Sequence, residues 1–288
     1  MFPRVPDQHK AGKPLIPNGL GVIYVLFTTV YLFLVYFLGV IKASNGVSAP
    51  LTLAVGVLFG GFMGLLDDWM DLKWRYKAFM PLIAALPLIY FAIENPLTRT
   101  SISLPFLGSI QFGDMYYFVI IPLIVMIVTN TVNQLGGLNG LETVCPAIIL
   151  LGLMALSPSH LILMLGPLIF WLILAGFNLQ GKIFVGNSGS FAIGMTIASF
   201  AVITDLKLSL GISILPYVFN SALILLTIFF VRKKASVSFD GKKLVSNHRR
   251  SLVTLITYRR PLTERQVVAA ISLFVVFFTS IAVLIELL

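Results

Sequence analysis

Long apolar runs alternate with short polar segments along the whole chain. About 20 apolar residues cross a bilayer, and nine segments reach or approach that length: 18–41, 49–66, 78–94, 115–132, 143–157, 160–178, 189–204, 208–231 and 267–286. The fifth and seventh are the shortest, and none carries a charged side chain in its middle third. The pattern predicts an all-α polytopic membrane protein with about nine transmembrane helices, forming one domain over residues 1–288. Two connecting stretches are longer than the rest. In 95–114, weak alternation from Ser101 to Ile110 around Pro105 and Gly108 predicts a short hairpin, and 232–266 is a long basic loop. Met1 to Pro17 is polar and lacks the apolar stretch of a cleavable signal peptide, so none is expected. No tandem repeat or low-complexity segment interrupts the pattern.

Composition narrows the class. Hydrophobic residues make up 58% of the chain and charged residues 11%, against about 25% charged in soluble domains. The mean hydropathy is +0.98, which excludes an ordinary soluble protein. The single cysteine, Cys145, lies in an apolar run and rules out a disulfide within the chain. With the N-terminus on the cytoplasmic side, Lys and Arg divide 17 to 3 in favour of that side, a strong positive-inside signal. The net charge of +9 is thereby accounted for by the cytoplasmic face, where anionic lipid and anionic substrates are met, and calls for no nucleic acid.

Four polar clusters all fall in predicted cytoplasmic segments. The first is Asp67-Asp68-Trp69-Met70-Asp71, followed by Lys73, Arg75 and Lys77. If the helix continues, Asp67 and Asp71 share a face with Asp68 beside them. Carboxylates so close repel unless a cation or substrate stabilises them, and hard oxygen ligands suit Mg²⁺; a solvated acidic helix end paired with the lysines is the plainer reading. The second cluster carries Asn130, Asn133, Asn139 and Glu142 around Gly136, Gly137 and Gly140. Carboxamides both donate and accept, which suits a sugar, a diphosphate or a metal, although Asn and Gly are also usual at helix ends. The third, Gly186-Asn187-Ser188-Gly189-Ser190, precedes an apolar helix. Its free N–H groups favour a phosphate or other anion, or Asn and Ser simply cap the helix. The fourth is His248-Arg249-Arg250 in the basic loop, suited to phosphate. His9 and His160 read as surface residues without function.

Taken in order, these strings resemble the polyprenyl-phosphate N-acetylhexosamine-1-phosphate transferases, glycosyltransferase family 4. The eukaryotic and archaeal UDP-GlcNAc:dolichyl-phosphate branch is the nearest. The carriers are DDWMDLKWRYK at 67–77, NTVNQLGGLNGLE at 130–142, FVGNSGSFAIGM at 184–195 and NHRR at 247–250, with KAGKPLIPNGLG at 10–21. The bacterial branch has an aspartate-rich second string, whereas GGLNGLE resembles the dolichol branch. The resemblance implies Asp67, Asp68 and Lys77 as catalytic residues around the lipid phosphate. It implies Asn133, Asn187 and Asp68 around Mg²⁺ (or Mn²⁺), and Asp71, Asn130, Asn139, Glu142, Gly186, His248, Arg249 and Arg250 in substrate binding. The implied partners are a UDP-sugar, a polyprenyl or dolichyl phosphate and the bilayer, and a homodimer is compatible with it. The implied location is the cell membrane of a prokaryote or the endoplasmic reticulum of a eukaryote, with the site on the cytoplasmic side.

Two departures stand out. Asn187 occupies a position where the family carries Asp, so weaker magnesium binding is expected, and a catalytically impaired relative is the alternative reading. The family also has ten spans, one of them before the KPxIP-like stretch, where this chain has none. A transporter is the remote alternative, disfavoured because polar groups gather at one face and not at mid-membrane.

Overall fold

The computed structural model describes residues 2–43, 45–104, 108–232 and 235–288. The chain is a helical bundle with three small two-stranded antiparallel hairpins outside it. The first hairpin, β1 (Arg4–Pro6) with β2 (Leu15–Pro17), leads into α1 (Gly21–Phe37) and α2 (Ala49–Met70). Helices α3 (Trp74–Ala84) and α4 (Leu86–Glu94) follow, then the hairpin β3 (Ser101–Leu104) with β4 (Gly108–Gln111). Next come α5 (Ile121–Gln134), entered through a π-helical stretch, α6 (Leu141–Leu156), α7 (Leu161–Leu179) and α8 (Gly186–Ile203). The chain finishes with α9 (Lys207–Ser213), α10 (Leu215–Leu226), the hairpin β5 (Ser238–Phe239) with β6 (Leu244–Val245), α11 (Leu252–Ile256) and α12 (Glu264–Leu287).

Each of the nine predicted apolar segments is helical, and the protein is a polytopic all-α membrane protein. Six helical stretches among the described residues are long and apolar enough to cross a bilayer. Helices α9 and α10 make a seventh if taken together, bent by 55° at Ile214. Pro216, which has no N–H to donate and crowds the preceding turn, accounts for that bend. Pro87 acts likewise at the start of α4, after the break at Ala85. Helices α1 and α6, of 17 and 16 residues, fall short of a full crossing by themselves. The predicted hairpin at 101–110 is present, although Pro105 lies outside the described residues.

Helix α8 is the central post. Its residues from Ser188 to Ile203 are all buried, and they are mostly small or aliphatic. The outward faces of the surrounding helices carry exposed Phe37, Leu38, Phe229, Leu273 and Phe277, as lipid contact requires. Without a hydrophobic drive between helices inside lipid, close packing depends on small residues. Helix α2 supplies them as Gly56, Gly60 and Gly64, one helical turn apart on the face against α8. A Cβ on Gly60 would lie 2.8 Å from the Phe191 carbonyl oxygen, and one on Gly64 only 2.2 Å from that of Asn187. A Cβ on Gly21 of α1 would likewise lie 2.1 Å from the Gly189 Cα of α8.

These contacts leave no room for a methyl group. Gly64→Ala is expected to force α2 from α8 and to lower stability by about 1–3 kcal/mol, the usual cost of overpacking. A thermal midpoint in detergent unchanged from the wild type would contradict the close approach.

Candidate active site

The glycine seam ends where α2 presents Asp67 and Asp68 to the head of α8. Asp68 Oδ1 accepts the Asn187 N–H at 2.8 Å, and its Oδ2 accepts that of Ser188 at 2.9 Å. The anion expected at this helix start is therefore, in the first place, a carboxylate of the chain itself. Neither Asn187 nor Ser188 caps the helix; the cap position is Val185, which offers no side-chain bond. Gly186 adopts a left-handed φ of +71°, and a Cβ there would crowd Asp68 Oδ2 at 2.8 Å. Its glycine is thus required by both backbone and space.

Asp67, one residue earlier, points elsewhere. Its side chain is buried, and Oδ1 pairs with Lys77 Nζ at 2.7 Å while accepting the Leu72 N–H at 3.1 Å. Lys77 also reaches Asp71 at 3.7 Å. Asp71 departs from the sequence reading: α2 stops at Met70, and Asp71 takes a left-handed conformation with a fully exposed side chain outside the cavity. The face it was expected to share with Asp67 does not extend that far.

Asp68 opens into a polar cavity of about 330 Å³. Asn133, Glu142, Gly186, Asn187 and Ser190 also line it, as do Gln134 and Gly136. Asn133 Oδ1 accepts the Ser190 hydroxyl at 2.6 Å, tying α5 to α8. Asn178 holds the second motif in shape: its Oδ1 accepts the Gly140 N–H at 2.7 Å and its Nδ2 donates to Glu142 at 3.3 Å. One wall is built by the N-terminal hairpin, through Asp7, Gln8, His9 and Asn18. The segment is held there because β2 runs into backbone bonds with the approach to α8: Phe184 N–H to Pro17 O, Leu20 N–H to Phe184 O and Gly21 N–H to Val185 O. His9, read from sequence as a surface residue, belongs to this wall.

A second cavity of about 440 Å³ adjoins the first, with Asn133 and Gln134 common to both. It is an apolar groove between α3, α5 and α10, walled by Trp74, Met126, Ile127, Leu225 and Phe229. Lys77 and Asn130 provide its polar points. Asn130 donates to the Ala78 and Met126 carbonyls at 3.2 and 2.9 Å, so it lines the groove and not the polar cavity.

Other predicted residues lie apart from Asp68. Asn139 turns away, donating through Nδ2 to Asp7 at 2.8 Å and to Glu264 at 3.0 Å. His248, Arg249 and Arg250 line neither cavity. Their loop is pinned by Ser246, whose N–H bonds Thr257 O and whose carbonyl accepts the Arg259 N–H. Arg249 stacks over the Tyr258 ring at 4.2 Å. Burial and the Arg250 charge hold the His248 imidazole below the usual histidine range.

The donor set suits a hard cation. Asp68 and Glu142 contribute carboxylates, and Asn133 and Asn187 contribute carboxamides. Each Asp68 oxygen uses one lone pair on an N–H and keeps another. No group of three acidic, histidine or cysteine side chains converges among the described residues.

The helical bundle, with its apolar outward faces, is that of an integral membrane protein with a polar cavity and an apolar groove side by side. Comparison with known proteins gives the family. The model of glycosyl transferase family 4 matches residues 50–205, more than half of the chain. A putative UDP-N-acetylglucosamine–dolichyl-phosphate N-acetylglucosaminephosphotransferase of Saccharolobus solfataricus is 30% identical, over 97% of this chain and 87% of its own length. The UDP-N-acetylglucosamine–dolichyl-phosphate N-acetylglucosaminephosphotransferase of Schizosaccharomyces pombe is 24% identical over 75% of this chain and 59% of its own. A phospho-N-acetylmuramoyl-pentapeptide-transferase of Clostridium perfringens is 28% identical over 83% and 75%. The chain belongs to glycosyl transferase family 4.

The Asp67–Lys77 pair, its carboxylate buried and its ammonium partly exposed, gives a direct test. Lys77→Met leaves a buried carboxylate without its cation, expected to cost about 1–3 kcal/mol, less than for a fully buried pair. Asp67→Asn added to Lys77→Met is expected to restore most of the lost thermal midpoint. Equal midpoints for the wild type and both variants would show that the pair is not formed.

Proposed function

We propose that the protein transfers N-acetylhexosamine 1-phosphate, with N-acetylglucosamine the favoured sugar, from a UDP-sugar to a polyprenyl or dolichyl phosphate. The observation that carries this reading is the junction at Asn133 and Gln134. There a polar cavity, suited to phosphates and a sugar, and an apolar groove, suited to a prenyl chain, share lining residues. The family membership and the dolichyl-phosphate enzymes among the relatives support it. The Lys and Arg bias of 17 to 3 supports a cytoplasmic site.

Two phosphate-bearing substrates repel, so catalysis is mainly positioning and charge neutralisation. The groove takes the prenyl chain, and Lys77 at its polar end holds the lipid phosphate. Asp67 keeps the Lys77 ammonium in place. The diphosphate lies in the polar cavity among Asn133, Asn187 and Glu142, with Asp68 fixed at the head of α8. A lipid phosphate oxygen attacks the sugar-bearing phosphorus; the new P–O bond forms as the bond to the bridging oxygen breaks, and UMP leaves with that electron pair. Magnesium, held by Asp68, Asn133 and Asn187, would neutralise charge on the diphosphate and the departing UMP. The product is a lipid-diphospho-sugar.

The test is release of UMP from a panel of UDP-sugars with dolichyl or undecaprenyl phosphate and Mg²⁺. Asp68→Asn, which keeps the shape but not the charge, is expected to lower turnover at least about 100-fold. Full turnover in that folded variant would overturn the assignment. Asn187→Asp is expected to raise magnesium-dependent turnover, and to lower the thermal midpoint in magnesium-free buffer because a third carboxylate then joins Asp68 and Glu142 in the cavity. Asn187 also favours a second reading, a relative that binds the nucleotide sugar without turning it over; UDP-sugar binding with no UMP release would select it.

A further inference from the structure

A third cavity, of about 730 Å³, lies on the far side of the Asn139–Asp7 hydrogen bond, between α6, α7 and α12. It takes no part in the reaction above. Its wall on α12 consists of residues 264, 265, 268, 269 and 272, which share one helical face. Over eight residues it therefore descends about 12 Å along the helix axis, into the membrane.

The lining changes character with depth. At the mouth stand Lys10, Asn139, Gln180, Glu264 and Arg265; below them are Val144, Val268 and Ala269, with Ser272 at the foot, its hydroxyl against Cys145 Sγ. Gly176 of α7 leaves the side open, with nothing within 4 Å of where its Cβ would be. A polar, charged mouth above an apolar shaft at the basic end of the bundle matches a lipid with its headgroup at the interface.

The mouth also specifies the headgroup. Asn139 is only 7% exposed, and its amide nitrogen is committed to Asp7 and Glu264. That fixes its orientation, and its Oδ1, which has no partner among the described residues, is buried out of reach of a ligand. Arg265 forms no ion pair among the described residues, and Lys10 is within 3.4 Å of Asp7 and 3.3 Å of the Gly181 carbonyl. Arg265 therefore supplies a cation for phosphate, while Glu264, half-buried beside it, supplies a carboxylate acceptor for a hydroxyl. Glu264 disfavours a bare, highly charged phosphate.

We infer that this cavity is a binding site for a membrane phospholipid whose headgroup joins a phosphodiester to a polyol. The phosphodiester lies against Arg265, a hydroxyl donates to the Glu264 carboxylate, and an acyl or prenyl chain follows α12 past Val268.

The probe is phosphatidylglycerol added to the purified full chain in nonionic detergent, with phosphatidylcholine of the same chains and inorganic phosphate as comparisons. Phosphatidylglycerol is expected to raise the thermal midpoint by about 3 °C, and the other two to leave it unchanged. Arg265→Gln removes the phosphate partner, and Gly176→Leu fills the open side of the shaft at a position with room for the added atoms. Each is expected to abolish the rise while folding with its own cooperative transition. An equal rise with phosphatidylcholine would show that the chains alone bind. No rise with phosphatidylglycerol, or a rise that survives in either variant, would overturn the site.

Discussion

The carboxylate of Asp68 against the head of α8 is the constraint on which the rest of the site depends. A helix start exposes N–H groups with no partners inside the helix, and here two of them are satisfied by a side chain 119 and 120 residues earlier. The bond forms only because α2 and α8 approach at glycine distance along their shared seam. Once it forms, Asn187, Ser190 and Asn133 are held in a fixed relation to the acidic pair. Helix α8 is buried almost throughout, so its head cannot move without disturbing the whole bundle.

The two neighbouring aspartates have different surroundings, and the difference has a geometric cause. Successive residues on a helix point about 100° apart. Asp68 faces α8 and the polar cavity, whereas Asp67 faces the chain reversal that leads to α3 and meets Lys77. One carboxylate thus serves the polar compartment and the other holds a lysine at the edge of the apolar groove. Asn133 lies where the two compartments meet, and its carboxamide is oriented by Ser190.

Membrane architecture and the order of the motifs were legible in the sequence. Nine apolar runs became helical because unpaired backbone groups are intolerable in hydrocarbon. The acidic, amide and glycine-rich strings come together at one end because successive spans alternate in direction. The Gly56, Gly60 and Gly64 spacing was a readable signal for the α2–α8 seam. No comparable signal marked Asp7, Gln8, His9 and Asn18. They enter the site through backbone pairing between residues 17–21 and 184–185, which carries no side-chain pattern. Asp71 and Asn139 were misplaced for related reasons: a helix that ended one residue earlier, and a buried bond to residues 7 and 264.

Sequence by itself determined the solvent, the helical segments and the chemical types gathered in the polar clusters. Those properties depend on hydrophobic run length, charge bias and local spacing, all written along one dimension. The tertiary structure alone decided which carboxylate caps α8, which pairs with Lys77, and which amides face the cavity, the groove or the far side of α6. These choices are made by contacts between residues from 10 to more than a hundred positions apart and by side-chain direction around each helix, and neither is encoded in the local pattern.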